Sequence, residues 1–188
     1  MVILPYLHKA DVWLLLLING LHTNVLDAIM PWISTNWFWL PIWIWVAFLW
    51  LRKLDRICWL PVLLSVILVV ITDQTSSHIL KPLFQRLRPC WNPELYGQLY
   101  VLSGVCGGKF GFVSSHAANT AGFMVFAGIL LQKAYLRWIM AGMVILVGFS
   151  RIYLAVHYPF DVVMGWLLGV VLGQLMVYVY YYFIRQLL

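Results

Sequence analysis

Four cations, two histidines, three serines and an aspartate fall in three short stretches of the chain. These are KPLFQRLRP at 81–89, VSSH at 113–116 and SRIYLAVHYPFD at 150–161. Lys81, Arg88 and Arg151 suit an anion, because ammonium and guanidinium groups bind phosphate oxygens and arginine does so in bidentate fashion. Ser114 and Ser115 precede a long apolar run, at a helix start whose free N–H groups and dipole favour a phosphate. His157 and Asp161 form a base-and-orienter pair, since a carboxylate that holds one ring nitrogen leaves the other free to attack. His116 is a second titratable group, placed to protonate a leaving oxygen. Together the residues have the content of an anion site with a nucleophile.

Each of them also has a plainer role. Ser114 alone is an N-cap, and His116 alone is a hydrogen-bonded packing residue. Isolated basic residues at a membrane edge reach back toward water; Arg86 and Lys109 are assigned to that role, and His78 and Tyr153 to packing. Asp73 falls at i, i+4, i+8 with Ser77 and Lys81, so it either supports Lys81 as a neighbour or bonds to another span. No G-x-S-x-G elbow occurs, and three cations suit an anionic substrate better than a peptide carbonyl. Cys90 and Cys106 share one loop and are expected to pair, whereas Cys58 stands apart. No CxxC occurs, so a zinc site is not expected, and neither is any other metal or cofactor.

The elements that must position these residues are membrane helices. Of 188 residues, 64% are hydrophobic and 10% charged, against about 45–50% and about 25% in soluble domains. Eleven tryptophans and ten tyrosines fit interfacial belts. The net charge of +6 comes with no basic run, which excludes nucleic acid as a partner. Runs at 32–51 (with Pro41 as a kink), 57–80, 115–132, 136–149 (extending to about 155) and 161–184 have the length a span needs. Residues 12–33 carry Asn19, His22, Asn24 and Asp27 and read as one or two interfacial amphipathic helices; the competing reading is a sixth span. The expected fold is an all-α integral membrane bundle of five to six transmembrane helices plus N-terminal interfacial helices. It is one domain over 1–188, with an N-terminal segment at 1–35 and a core at 57–184. Arg52, Lys53, Arg56, Lys133, Arg137 and Arg185 mark the cytoplasmic face by the positive-inside rule. The 81–113 loop and the turn near 150–160 then lie on the extracytoplasmic face, where a disulfide persists.

In order and spacing the three stretches resemble the type 2 phosphatidic acid phosphatase superfamily, the lipid phosphate phosphatases. That family's pattern is K-x6-R-P, then P-S-G-H, then S-R-x5-H-x3-D. The first and third parts match here; in the second, Val113 replaces proline and Ser115 replaces glycine. The likeness runs from about residue 57 to the C-terminus. It implies a metal-independent enzyme acting on a lipid phosphate or diphosphate such as undecaprenyl diphosphate, phosphatidylglycerophosphate or phosphatidate. By that resemblance His157 attacks phosphorus to form a phosphohistidine, Asp161 orients it and His116 protonates the leaving group. Lys81, Arg88, Ser114 and Arg151 would hold the phosphoryl oxygens, with Ser115 offering its N–H. The alternatives are a lipid phosphotransferase, or a non-catalytic lipid-phosphate binder or transporter. The expected location is the inner (cytoplasmic) membrane, with the site facing outward.

Overall fold

Hydrocarbon offers backbone groups no partner, so apolar runs of this length become helices. The computed structural model describes residues 3–53, 57–102 and 104–187. Arg56, counted among the basic residues of one face, lies outside them, as does the side chain of Lys53. Helices α1 (Ile3–Asn19) and α2 (Asn24–Ile33) precede α3 (Asn36–Lys53) and α4 (Trp59–Gln74). A wider π-helical turn, Thr75–Leu80, carries α4 into the short α5 (Lys81–Phe84). After the polar loop come α6 (Ser115–Leu131), α7 (Ala134–Tyr153) and α8 (Pro159–Leu187).

Trp59–Phe84, Ala134–Tyr153 and Pro159–Gln186 are each long and apolar enough to cross a membrane. Helix α6 is apolar but has only 17 residues, which at 1.5 Å per residue is about 26 Å. Helix α3 continues through Pro41, and five of its 18 residues are tryptophan. The chain is thus a multi-pass, all-helical membrane protein, and these five segments correspond closely to the five expected runs.

The bundle is organised around α6 and α8, which run parallel and touch along their length. Gly165, Gly169 and Gly173 form a small-xxx-small row that lets two backbones meet. A Cβ on Gly169 would stand 2.2 Å from the Ala118 carbonyl oxygen, and one on Gly173 2.6 Å from that of Gly122. Away from the loops, Trp50, Leu64, Leu68, Phe123, Phe126 and Tyr180 make an apolar core.

The N-terminal segment is two helices meeting at 117°, the first starting nine residues before the expected boundary at 12. Asp11, Leu15 and Asn19 are buried at i, i+4, i+8 on one face of α1. Asn19 Nδ2 donates to the Tyr100 and Tyr153 carbonyls at 2.8 Å each, and its Oδ1 accepts from the Tyr100 N–H at 2.8 Å. This docks α1 on the polar loop and α7. Tyr153, expected to be mere packing, is more than that: its hydroxyl donates to Asp27 and accepts from the Thr23 N–H. His78, also expected to pack, is exposed.

Candidate active site

Each sequence stretch reaches the same end of the bundle on a different element. Lys81 stands at the start of α5, just past the π-helical turn. Its Nζ donates to Ser115 Oγ at 2.7 Å and to Ser77 Oγ at 3.2 Å. Ser115, where the family pattern has glycine, therefore holds the lysine through its hydroxyl. Asp73 forms no ion pair or hydrogen bond with Lys81 among the described residues. The π turn between them bonds i to i+5, so the face shared under α-helical spacing is rotated. The Asp73 side chain instead lines a cavity between α3, α4 and α6.

Arg88 is placed by the loop. Its N–H donates to the Lys109 carbonyl at 3.0 Å, Nε to the Phe110 carbonyl at 3.2 Å and Nη1 to the Cys106 carbonyl at 2.8 Å. Cys106 is disulfide-bonded to Cys90, so the staple adjoins the arginine's acceptor. Arg151, at the end of α7, is buried and donates through Nη1 to Ser34 Oγ. Ser114 occupies the N-cap of α6, but its hydroxyl makes no capping bond. The expected capping bond is absent, and the hydroxyl is buried with no partner among the described residues. The Ser114 N–H donates instead to the Asp161 carbonyl at 3.0 Å, tying the first turns of α6 and α8 together. Two helix N-termini thus converge here, and their dipoles favour an anion.

His157 and Asp161 are 1% and 0% exposed. His157 Nδ1 lies 3.7 Å from Asp161 Oδ2, which is too far for the expected hydrogen bond. The carboxylate is engaged elsewhere. Oδ2 accepts from the Tyr158 N–H at 3.0 Å, the side-chain arm of a capping box on α8. Oδ1 accepts from Arg86 Nη1 at 2.6 Å. Gly111 permits this closeness: a Cβ there would stand 3.2 Å from Asp161 Oδ2 and 3.5 Å from His157 Nδ1.

Arg86 overturns the expectation of a surface side chain. It bridges Asp161 and Asp11, the latter at 2.5 Å, and its guanidinium lies 4.1 Å over the Tyr158 ring. Burial would lower its pKa, but Asp161 and Asp11 more than offset that and raise it, so the cation is fixed. Asp11 sat in no motif. The only sequence signal was a carboxylate at a helical spacing of i−4 and i−8 from Leu15 and Asn19.

Burial, reinforced by the charges of Arg151, Arg88 and Lys81, holds the His157 imidazole well below the ordinary histidine range. It is therefore neutral near pH 7, as a nucleophile must be. Of six buried side-chain polar atoms without a partner among the described residues, three are Ser114 Oγ, Arg151 Nε and His157 Nδ1. Such an atom left unpaired costs about 1–3 kcal/mol, and these three belong to the sequence stretches at 113–116 and 150–161. His116 stands in the first turn of α6, within the field of Arg151, His157, Lys81 and Arg88. It also lines the α3–α4–α6 cavity, of about 500 Å³, together with Trp39, Trp43, Val69, Asp73 and Asn119. Among the described residues no three His, Cys, Asp or Glu side chains gather as a metal ion would need.

A family model for the PAP2 superfamily matches residues 58–185. The chain belongs to the PAP2 superfamily. It is 31% identical over 180 residues to the lipid A 4′-phosphatase of Porphyromonas gingivalis, covering 95% of this chain and 76% of that protein. It is 33% identical over 172 residues to the lipid A 4′-phosphatase of Bacteroides thetaiotaomicron, covering 88% and 75%. The fold matches the crystal structure of a transmembrane PAP2 type phosphatidylglycerolphosphate phosphatase from Bacillus subtilis, with a TM-score of 0.72 at 22% identity, over 91% of this chain and 84% of that one. The chain is accordingly a membrane enzyme of the lipid phosphatase type. Lys81, Arg88, Ser114, His116, Arg151, His157 and Asp161, which carry the resemblance in the sequence, all fall within the matched residues of this PAP2 member.

Proposed function

We propose that this PAP2 protein removes phosphate from a lipid phosphate through a phosphohistidine on His157. The neutral imidazole attacks phosphorus. Lys81, Arg88 and Arg151, with the Ser114 hydroxyl and the Ser115 N–H, hold the phosphoryl oxygens. Phosphoryl transfer depends mainly on such positioning and charge stabilisation. His116 protonates the leaving oxygen and then activates the water that frees the phosphate.

The observation that carries the reading is the position of His116, which faces the cation cluster on one side and the α3–α4–α6 cavity on the other. A leaving oxygen beside His116 puts the rest of the lipid in that cavity. Its wall combines Trp39, Trp43 and Val69 with the polar Asp73 and Asn119, which suits a headgroup bearing hydroxyls or amides above acyl chains. The kinship with two lipid A 4′-phosphatases favours a phosphorylated glycolipid over undecaprenyl diphosphate, phosphatidylglycerophosphate or phosphatidate. The basic residues at the far helix ends favour an inner-membrane enzyme with its site facing outward.

Phosphate release by purified protein from lipid A, phosphatidate and undecaprenyl diphosphate, without added metal, tests this reading. Lipid A should be the best substrate, and His157→Ala should lose about 10³-fold or more of kcat. Full activity in that variant refutes the mechanism; phosphatidate as best substrate refutes the lipid assignment.

A further inference from the structure

Helix α1 precedes the residues that the superfamily model matches, 58–185, yet it delivers a buried carboxylate to the candidate site. We propose that Asp11 and Arg86 are positioning residues, forming an Asp11–Arg86–Asp161 bridge through which α1 sets both the placement and the charge of the Asp161–His157 pair. The inference rests on His157 being the nucleophile.

Every carboxylate oxygen of the bridge has a partner. Arg86 gives Nη1 to Asp161 Oδ1 at 2.6 Å and Nη2 to Asp11 Oδ2 at 2.5 Å. Asp11 Oδ1 accepts the Phe160 N–H of α8's first turn at 2.8 Å. The Arg86 carbonyl accepts the Gly111 N–H at 2.9 Å, fixing the glycine that approaches His157. Asp11 is 7% exposed and Asp161 is fully buried. Removing Arg86 strands two buried carboxylates, and removing the Asp11 carboxylate leaves Arg86 Nη2 without its acceptor. The bridge therefore acts as a unit.

Its electrical effect follows from sign. Asp161 faces His157 from α8; Arg151 faces it from α7, Lys81 from α5, His116 from α6 and Arg88 from the loop. Helix α1 adds His8, whose ring is 6.1 Å from that of Tyr158. Asp161 is the one anion in this set, and an unscreened Asp161 draws a proton onto the imidazole and disables it. Arg86 screens that carboxylate, while Asp11 shares Arg86 and moderates the screening. Replacing Arg86 by Gln should raise the pH at which activity is lost on acidification. Replacing Asp11 by Asn keeps an acceptor for the Phe160 N–H, removes the charge and should lower that pH or leave it in place.

The test measures kcat and KM against pH for full-length wild type, Arg86→Gln, Arg86→Lys, Asp11→Asn and the double variant, on lipid A and phosphatidate in mixed micelles. Comparison with wild type on one substrate cancels the substrate's own phosphate titration. Arg86→Gln should lose about 10–100-fold in kcat with KM within about threefold, as for an interaction acting on the reacting pair. Its acid limb should move up by about half a pH unit or more, and Arg86→Lys should recover part of both effects. Asp11→Asn should lose about tenfold, and the double variant should match Arg86→Gln, since coupled residues are not additive. Losses that multiply, an Arg86→Gln acid limb that does not move, or losses that only track the monodisperse folded fraction overturn the bridge. His157→Ala run alongside separates the two failures. If that variant is inactive while the bridge variants behave as wild type, only this inference falls; if it is active, the nucleophile assignment falls.

Discussion

The two halves of the α6–α8 pair are held together by different physics. Near their N-termini, Ser114, Ser115, His157 and Asp161 are buried polar groups; Asp161 is bonded to Arg86 of the loop, Ser115 to Lys81, and Ser114 to Asp161. Farther along, Gly122, Gly169 and Gly173 meet backbone to backbone, and beyond them Phe126, Leu131, Leu136 and Tyr180 form a wholly apolar core. The polar half tolerates unsatisfied atoms because a phosphate is its partner in the proposed reaction. The glycine half tolerates nothing, since dispersion at close range is its main source of stability in lipid. Function and fold are therefore separable: damage to the polar half should cost activity in a folded protein, and damage to the glycine row should cost both.

The largest effect should come from Gly169→Leu. Even a Cβ there lies 2.2 Å from the Ala118 carbonyl oxygen and 2.8 Å from the Gly122 nitrogen, so the helices must part. Yield of monodisperse protein in detergent should collapse, and activity with it. Normal yield with normal activity would show that the row is not what joins the two halves. A smaller loss is expected from Cys90→Ser paired with Cys106→Ser. Closing a loop of 16 residues' separation contributes about 3 kcal/mol in the chain-entropy account. The variant should unfold at lower temperature in a thermal-shift assay yet keep its fold. Its KM should rise, because the Cys106 carbonyl that accepts from Arg88 is no longer held. A KM change without a thermal shift would place the staple's role wholly in the site.

The helical runs and the three motif stretches were legible in the sequence because each is local. A span is a matter of composition over about 20 residues, and the stretches keep fixed spacings. Two things were not read. The Gly165–Gly169–Gly173 row was visible as a G-x-x-x-G repeat, but its meaning depends on which helix lies opposite. Arg86 looked like any basic residue at a membrane edge, because its partners, Asp11 and Asp161, are 75 positions away in either direction. The His157–Asp161 spacing was right, but the hydrogen bond inferred from it was not, since the carboxylate's two oxygens are claimed by Arg86 and the Tyr158 N–H. Asp73 shows the same limit on a smaller scale: spacing assumed an α-helix, and a π turn lies between it and Lys81.

Ser115 gives the smallest expected effect and the finest probe of the polar half. Its hydroxyl takes the shorter of the two bonds from Lys81 and also lies 3.1 Å from Ser77 Oγ. In Ser115→Gly, the residue of the superfamily pattern, Lys81 keeps Ser77 but loses an acceptor. One hydrogen bond of this kind is worth about 0.5–1.5 kcal/mol net, or about 2–10-fold. Because Lys81 is proposed to grip phosphoryl oxygens in both ground and transition states, the loss should fall mainly on KM and leave kcat within about twofold. Ser115→Ala should behave alike, since it removes the same hydroxyl while keeping the helix start. If glycine restores or improves activity where alanine does not, Ser115 crowds the phosphate rather than aiming Lys81. The difference between those two variants, measured on lipid A and on phosphatidate, decides whether this position sets the grip on phosphate alone or also the choice of lipid.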